Sequence, residues 1–224
     1  MLPETVSLIL EIIGTVSFAV SGAFVAIKAG LDIFGVAFIG VITAMGGGVI
    51  RDILIGRFPP VVFLNFGVFA VAAAVSVAVF AVAFFNRHRF DELREKIEHI
   101  NNFFDAIGLA AFSVMGTEVA FTTDFGDNMF LAVVMGMLTG VGGGIFRDIL
   151  TDTTPYVFKK HIYAIASILG SVLYYVIRRY FGDVIVASAA CMIFVVTLRM
   201  FAAHYRWSLP KVELPEKDTF GNKK

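Results

Sequence analysis

Two short stretches hold the residue types most able to do chemistry: GGGVIRDIL at Gly46–Leu54 and GGGIFRDIL at Gly142–Leu150. Each sets an arginine and an aspartate, Arg51 with Asp52 and Arg147 with Asp148, three positions after a glycine triplet. A charged side chain costs about 2.5–3.5 kcal/mol at the centre of a bilayer. Charges in such surroundings face a wet cavity or pair with one another. A glycine inside a helix costs up to about 1 kcal/mol relative to alanine. The triplets Gly46, Gly47, Gly48 and Gly142, Gly143, Gly144 therefore weaken whatever helix holds them. Two readings stand open and are compatible. In one, the helix kinks or unwinds and presents backbone carbonyls to a passing cation. In the other, the glycines let two helix backbones approach closely.

The elements that must position these residues are membrane helices. Of 224 residues, 58% are hydrophobic and only 16% charged, a composition far from that of a soluble domain. The apolar runs are long and continuous, and about 20 residues of helix span a bilayer core. The expectation is an all-α integral membrane protein with seven transmembrane helices, near Val6–Lys28, Phe34–Ile55, Val61–Phe85, Phe103–Phe121, Met129–Leu150, Val157–Ile177 and Val184–Ala203. An offset of 96 places Gly46 on Gly142, Thr43 on Thr139 and Pro59 on Pro155. Nine of the seventeen positions from Thr43 to Pro59 are then identical. The chain thus divides into a first three-helix repeat (5–85), a charged connector (86–102), a second repeat (103–181), a seventh helix (183–203) and a polar tail (204–224). Three spans is an odd number, so the second repeat enters from the opposite side. Inverted repeats with interrupted helices near their interface are typical of transport proteins.

Lys and Arg divide four against fourteen between the two sides, which places the N-terminus outside and the C-terminus and connector in the cytoplasm. Arg51 and Arg147 then lie on opposite sides, so each motif should find its partners within its own half. Arg and Asp, being adjacent, point about 100° apart and need not pair with each other. The alternative makes both pairs ordinary helix ends at the membrane surface. Glu118, in MGTEVAF, either lines a vestibule that attracts cations or snorkels to the surface. Glu11 lies inside the first span, opposite an apolar Ile107 in the repeat, and is a candidate partner for an arginine. Asp105 reads as a cap on the fourth span. The connector's charges suit a short solvated helix.

Several functions are excluded or disfavoured. Net charge is zero, which gives nucleic acid no electrostatic footprint. The single cysteine, Cys191, excludes an internal disulfide framework, and no Cys/His metal spacing occurs. The motif lacks the Gly-Lys-Ser/Thr ending of a phosphate-binding loop. No enzyme and no cofactor is expected.

Two three-helix units, each with GGG-x-x-R-D-x-L in the second helix, followed by a seventh helix, resemble the bacterial and archaeal trimeric intracellular cation (TRIC) channels. That group also carries the label of a glycine-transporter domain. The resemblance spans about Val6 to Ala203. It implies a homotrimer in membrane lipid, in a prokaryotic inner (plasma) membrane, with a pore in each protomer between kinked helices 2 and 5. It implies permeant potassium or sodium, with the kinks at the two glycine triplets and Arg51, Asp52, Arg147 and Asp148 beside them. Animal members have a lysine just before the fifth-helix glycines. Here that position is Thr139, matched by Thr43, so phosphoinositide binding is not carried over. A secondary carrier of a small amino acid such as glycine is the alternative function.

Overall fold

The computed structural model describes residues 2–87, 92, 94–159 and 162–207. Among the described residues, seven helices are long and apolar enough to cross a membrane. They are α1 (Glu4–Lys28), α2 (Ile33–Leu54), α3 (Phe66–Phe85), α4 (Arg94–Ala120), α5 (Met129–Leu150), α6 (Ile162–Phe181) and α7 (Val184–His204). Their starts are written locally. Asp32, Asn65, Asn128 and Asp183 each accept a backbone N–H of the following first turn through a side-chain oxygen. Such caps satisfy amides that have no partner inside the helix.

The chain folds as two inverted three-helix repeats plus a seventh helix. α1 and α4 pack on each other at the centre, α2 packs on α5, α3 flanks α1 and α2, and α6 flanks α4 and α5. α7 covers α4 and α6. The α1–α4 contact is reciprocal. Phe18 of α1 covers Gly108 of α4, Phe112 of α4 covers Gly14 of α1, and the two rings lie 5.3 Å apart. Both glycines leave room for a ring that a Cβ would displace. Phe34, Phe66, Phe130 and Phe181 stand on the outer surface, each more than 70% exposed, where lipid would cover them.

Three spans start elsewhere than the sequence expectation, and the sixth is one: a separate short helix covers Tyr156–Lys159 and α6 begins at Ile162. Val61–Phe63 is a short 3-10 turn, and α3 starts only at Phe66, because Asn65 caps it. α4 starts at Arg94, so the second part of the charged connector is continuous with the fourth span. Asp105 is therefore inside a helix and caps nothing. The connector's residues 88–91 and 93, and the tail beyond 207, lie outside the described residues. Each repeat also needs a left-handed backbone after its second helix. Gly56 provides it in the first repeat (φ 72°) and Asp152 at the equivalent position of the second (φ 52°). Aspartate is one of the few non-glycine residues that tolerate this region.

Candidate functional site: the α2–α5 crossing and its buried charges

Both glycine triplets lie in uninterrupted α-helix. The unwinding that one of the two readings allowed is not seen, and the close backbone approach of the other is. Packing offsets their weak propensity. A Cβ on Gly47 would collide with the Thr139 carbonyl, and a Cβ on Gly143 with the Thr43 carbonyl. Each middle glycine is thus the notch into which the other helix's backbone fits. The first glycines face side chains across the same crossing, Gly46 toward Phe146 and Gly142 toward Ile50. The third glycines clear space beside the guanidinium that follows. Arg51 Nη2 lies 3.8 Å from a Cβ position on Gly48, and Arg147 Nη2 lies 3.6 Å from one on Gly144. Thr43 and Thr139 are buried at the crossing. Each donates its hydroxyl to its own helix, Thr43 to the Ile39 carbonyl and Thr139 to the Met135 carbonyl, both at 2.6 Å.

The motif charges are interior residues. Arg51 is 8% exposed, Asp52 and Arg147 0%, and Asp148 1%. All four lie in the last turn of their helices and are nonetheless closed off from the protein surface. Adjacent residues pair after all: Nε of Arg51 donates to Asp52 Oδ1, and Nε of Arg147 to Asp148 Oδ1, both at 2.8 Å. A long arginine chain folds back across the angle that separates neighbours on a helix. The second carboxylate oxygen holds the returning chain. Asp52 Oδ2 accepts from the Val61 amide at 2.9 Å, and Asp148 Oδ2 from the Tyr156 amide at 2.8 Å. The Arg–Asp pairs are local to each half, and among the described residues no ion pair joins Arg51 to Asp148. The expectation of purely local partners fails at Arg147, which also reaches Ser21 of the first half. Tyr156, at the start of a short helix (Tyr156–Lys159) after α5, keeps its proton: burial pushes its phenol up to about 12, against the opposing pull of Arg147.

Beyond this shared core the halves differ. Arg147 Nη1 also donates to Asp105 Oδ1 of α4 and to Ser21 Oγ of α1, both at 2.7 Å. Arg199 of α7 approaches Asp105 Oδ2 at 3.8 Å and lies 4.6 Å from the Tyr163 ring centroid. Asp105, Arg147, Arg199 and Tyr163 are all 3% exposed or less. In the first half, Ile9 occupies the repeat position of Asp105, and Arg51 instead has Glu11 within electrostatic reach. Sequence reasoning missed this cluster. The usable signal was complementary: an acid, Asp105, in the apolar run of α4 and an arginine, Arg199, in that of α7, neither of which lipid tolerates alone.

Glu118 is 4% exposed, so it does not snorkel. Its Oε2 accepts from Tyr174 Oη at 2.8 Å and Arg178 Nε at 3.3 Å. Between Glu118 and Asp105 runs a seam of buried hydroxyls on α4, α5 and α6. Ser113 and Ser167 lie 2.6 Å apart, and Thr117 donates to the Ser113 carbonyl at 2.7 Å. Thr117, Ser171 and Ser113 converge on Gly136, and Thr139 meets Gly116. Such a row of small oxygens between carboxylates resembles the ligands that replace a cation's hydration shell. Among the described residues, no group of three or more His, Cys, Asp or Glu could hold a metal ion.

The glycine-transporter family model matches residues 8–86 and again 102–179. The chain is 37% identical over 200 residues to the UPF0126 inner membrane protein YadS of Escherichia coli K12, covering 89% of this chain and 92% of that protein. It is 39% identical over 168 residues to the UPF0126 membrane protein YvgT of Bacillus subtilis, covering 74% and 77%. A crystal structure of a prokaryotic TRIC channel superposes with a TM-score of 0.81 at 31% identity, over 92% of this chain and all of that one (100%). The chain belongs to the prokaryotic TRIC family. The TRIC orthologue from Rhodobacter sphaeroides likewise superposes with a TM-score of 0.80 at 28% identity, over 91% of this chain and 100% of that one. This TRIC-family chain is an integral membrane protein, and its solved structural neighbours are channels.

Proposed function

We propose that the protein is a passive channel for monovalent cations, potassium and sodium. It would act as a homotrimer in the inner membrane, with its N-terminus outside, its C-terminus in the cytoplasm and no cofactor. Each protomer carries its own path between α2 and α5. The observation that carries this reading is the reciprocal crossing of the two glycine triplets, with Thr43 and Thr139 buried at its centre. The membership of the chain in a family with solved cation channels supports it. At the crossing, each Thr carbonyl fills the other helix's glycine notch, so conduction requires α2 and α5 to part there. Glu118 stands at the outer approach, held by Tyr174 and Arg178, and would meet cations once that pairing opens. The two Arg–Asp pairs pin the helix ends while the crossing moves. Purified protein in planar bilayers should give unitary potassium currents. Slow saturable flux with no unitary openings would sink the proposal.

The description of the family model supports a second reading, a carrier of a small amino acid such as glycine. Uptake by cells lacking their own glycine carriers separates the two. Saturable glycine uptake abolished by Gly143→Leu would favour the carrier.

A further inference from the structure

A cavity of about 500 Å³ opens where the first turns of α4 meet the end of α7. Its walls carry both signs of charge: Glu95, Glu98 and His99 from α4, and Arg199 and Arg206 from α7 and the residues after it, with Trp207 at the rim. Arg199 is 3% exposed, and its Nε has no hydrogen-bond partner. Its contact with Asp105, at 3.8 Å, is the longest ion pair of the buried cluster. A buried polar donor without a partner costs roughly 1–3 kcal/mol, more when charged, and points to a group that completes it. Among the described residues, neither Glu95, Glu98 nor Arg206 forms an ion pair. Opposite charges that share a cavity without touching leave room for one molecule bearing both charges.

The surroundings indicate where that molecule comes from. α7 is an outer helix, and Phe201, Tyr205 and Trp207 are at least 50% exposed. They stack in a row, with centroids 6.1 and 6.3 Å apart, that ends at the cavity rim. Exposed aromatic residues at the end of a membrane helix mark the headgroup level. A phosphate offers the acceptor oxygens that arginine forks bind best.

We propose that this cavity binds the headgroup of a zwitterionic phospholipid, its phosphate on Arg199 and Arg206 and its ammonium group against Glu95 and Glu98. The inference rests on the membrane-embedded fold and is independent of the channel reading. The test is native mass spectrometry of the full-length chain in detergent, titrated with phosphatidylethanolamine and phosphatidylglycerol of identical acyl chains. Glu95, Glu98 and Arg206 are exposed, so their substitution leaves the core intact. Wild type should prefer phosphatidylethanolamine by about tenfold, equivalent to 1.4 kcal/mol. Glu95→Gln with Glu98→Gln should abolish that preference and leave phosphatidylglycerol binding in place. Arg206→Ala should weaken both lipids. Displacement by soluble phosphoethanolamine, and not by glycerol phosphate, would show that the headgroup itself is read. Equal binding of the two lipids by wild type, or a preference that survives the double glutamate substitution, would overturn the proposal.

Discussion

Asp105→Asn tests the buried cluster most directly. Asp105 and Arg147 are both 0% exposed and their ion-pair distance is 2.7 Å. Asp105 also faces Arg199, which has no other acidic partner within ion-pair distance among the described residues. With Asp105 and Asp148 against Arg147 and Arg199, the cluster sums to zero. The substitution keeps shape but turns one acceptor oxygen into an NH2 donor that faces a guanidinium, and it leaves two guanidinium groups facing one carboxylate. Removing one partner of a buried pair costs about 3–5 kcal/mol. For a chain of this size, about 2–4 °C accompanies each kcal/mol, so the melting temperature should fall by about 6–20 °C. The comparison is Glu118→Gln. Its partner Arg178 has a side chain 20% exposed, so water replaces part of what is lost and the fall should be smaller. Adding Arg199→Leu to Asp105→Asn removes the orphaned charge and should recover part of the loss, a coupling of about 1–3 kcal/mol. Thermal denaturation of detergent-purified protein, followed by circular dichroism, reads all three. If Asp105→Asn melts within 2–4 °C of wild type, about 1 kcal/mol on the same scale, or if the double variant is less stable than the single, the charge accounting is wrong.

The glycine triplets make a position-specific prediction. Gly47→Ala and Gly143→Ala should each destabilise more than Gly48→Ala in the same melting assay. The first two drive a Cβ into backbone, whereas the nearest atom to a Cβ on Gly48 is a Val62 methyl at 3.3 Å. Thr43→Val and Thr139→Val should leave the melting temperature nearly unchanged and lower single-channel conductance in planar bilayers. Their hydroxyls bond only their own helix, and unchanged conductance would remove both residues from the path. Arg147→Ala should alter conduction more than Arg178→Ala, and equal effects would reduce both to generic charges. Tyr156 adds a pH dependence. Its folded value of about 12 lies above the ordinary 10.0, so the unfolded chain loses that proton first and stability falls as pH rises from 10 toward 12. Tyr156→Phe should make that alkaline decline shallower in a denaturation series, and an unchanged slope would refute the assignment.

The seven spans and the inverted repeat were legible because lipid leaves few options. Long apolar runs must be helices there, and a 96-residue offset is visible without knowing a single contact. The helix starts were less legible where polar sequence continues a helix, as at Arg94, or where a cap delays one, as at Asn65. Of the two readings of the triplets, close packing is the one seen, and propensity alone did not decide between them because it describes an isolated helix. In a crossing, the contact energy of backbone fitting into a notch outweighs about 1 kcal/mol per glycine. Adjacent Arg and Asp were expected to diverge because spacing fixes where Cβ atoms point and says nothing about where a flexible guanidinium ends.

The repeat and its exceptions have one geometric cause. A contact across a two-fold axis is reciprocal: where residue i touches j, its copy of j touches its copy of i. Gly47 meets Thr139 and Gly143 meets Thr43. A change in either motif spoils a contact that its twin also makes, so the two sequences stay alike. Away from the axis no such constraint holds. α7 has no counterpart in the first half, so Arg199 reaches only the second half's interior. There Asp105 answers it, while Ile9 at the equivalent position has nothing to answer. The second half carries the denser network of buried charge because the odd helix packs there, on α4 and α6. If α2 and α5 part during conduction, the two halves are not equivalent hinges. The Asp105–Arg147–Arg199 cluster ties α4, α5 and α7 into one body, and among the described residues Arg51 has Asp52 alone at ion-pair distance. On that accounting α2 is expected to shift more than α5.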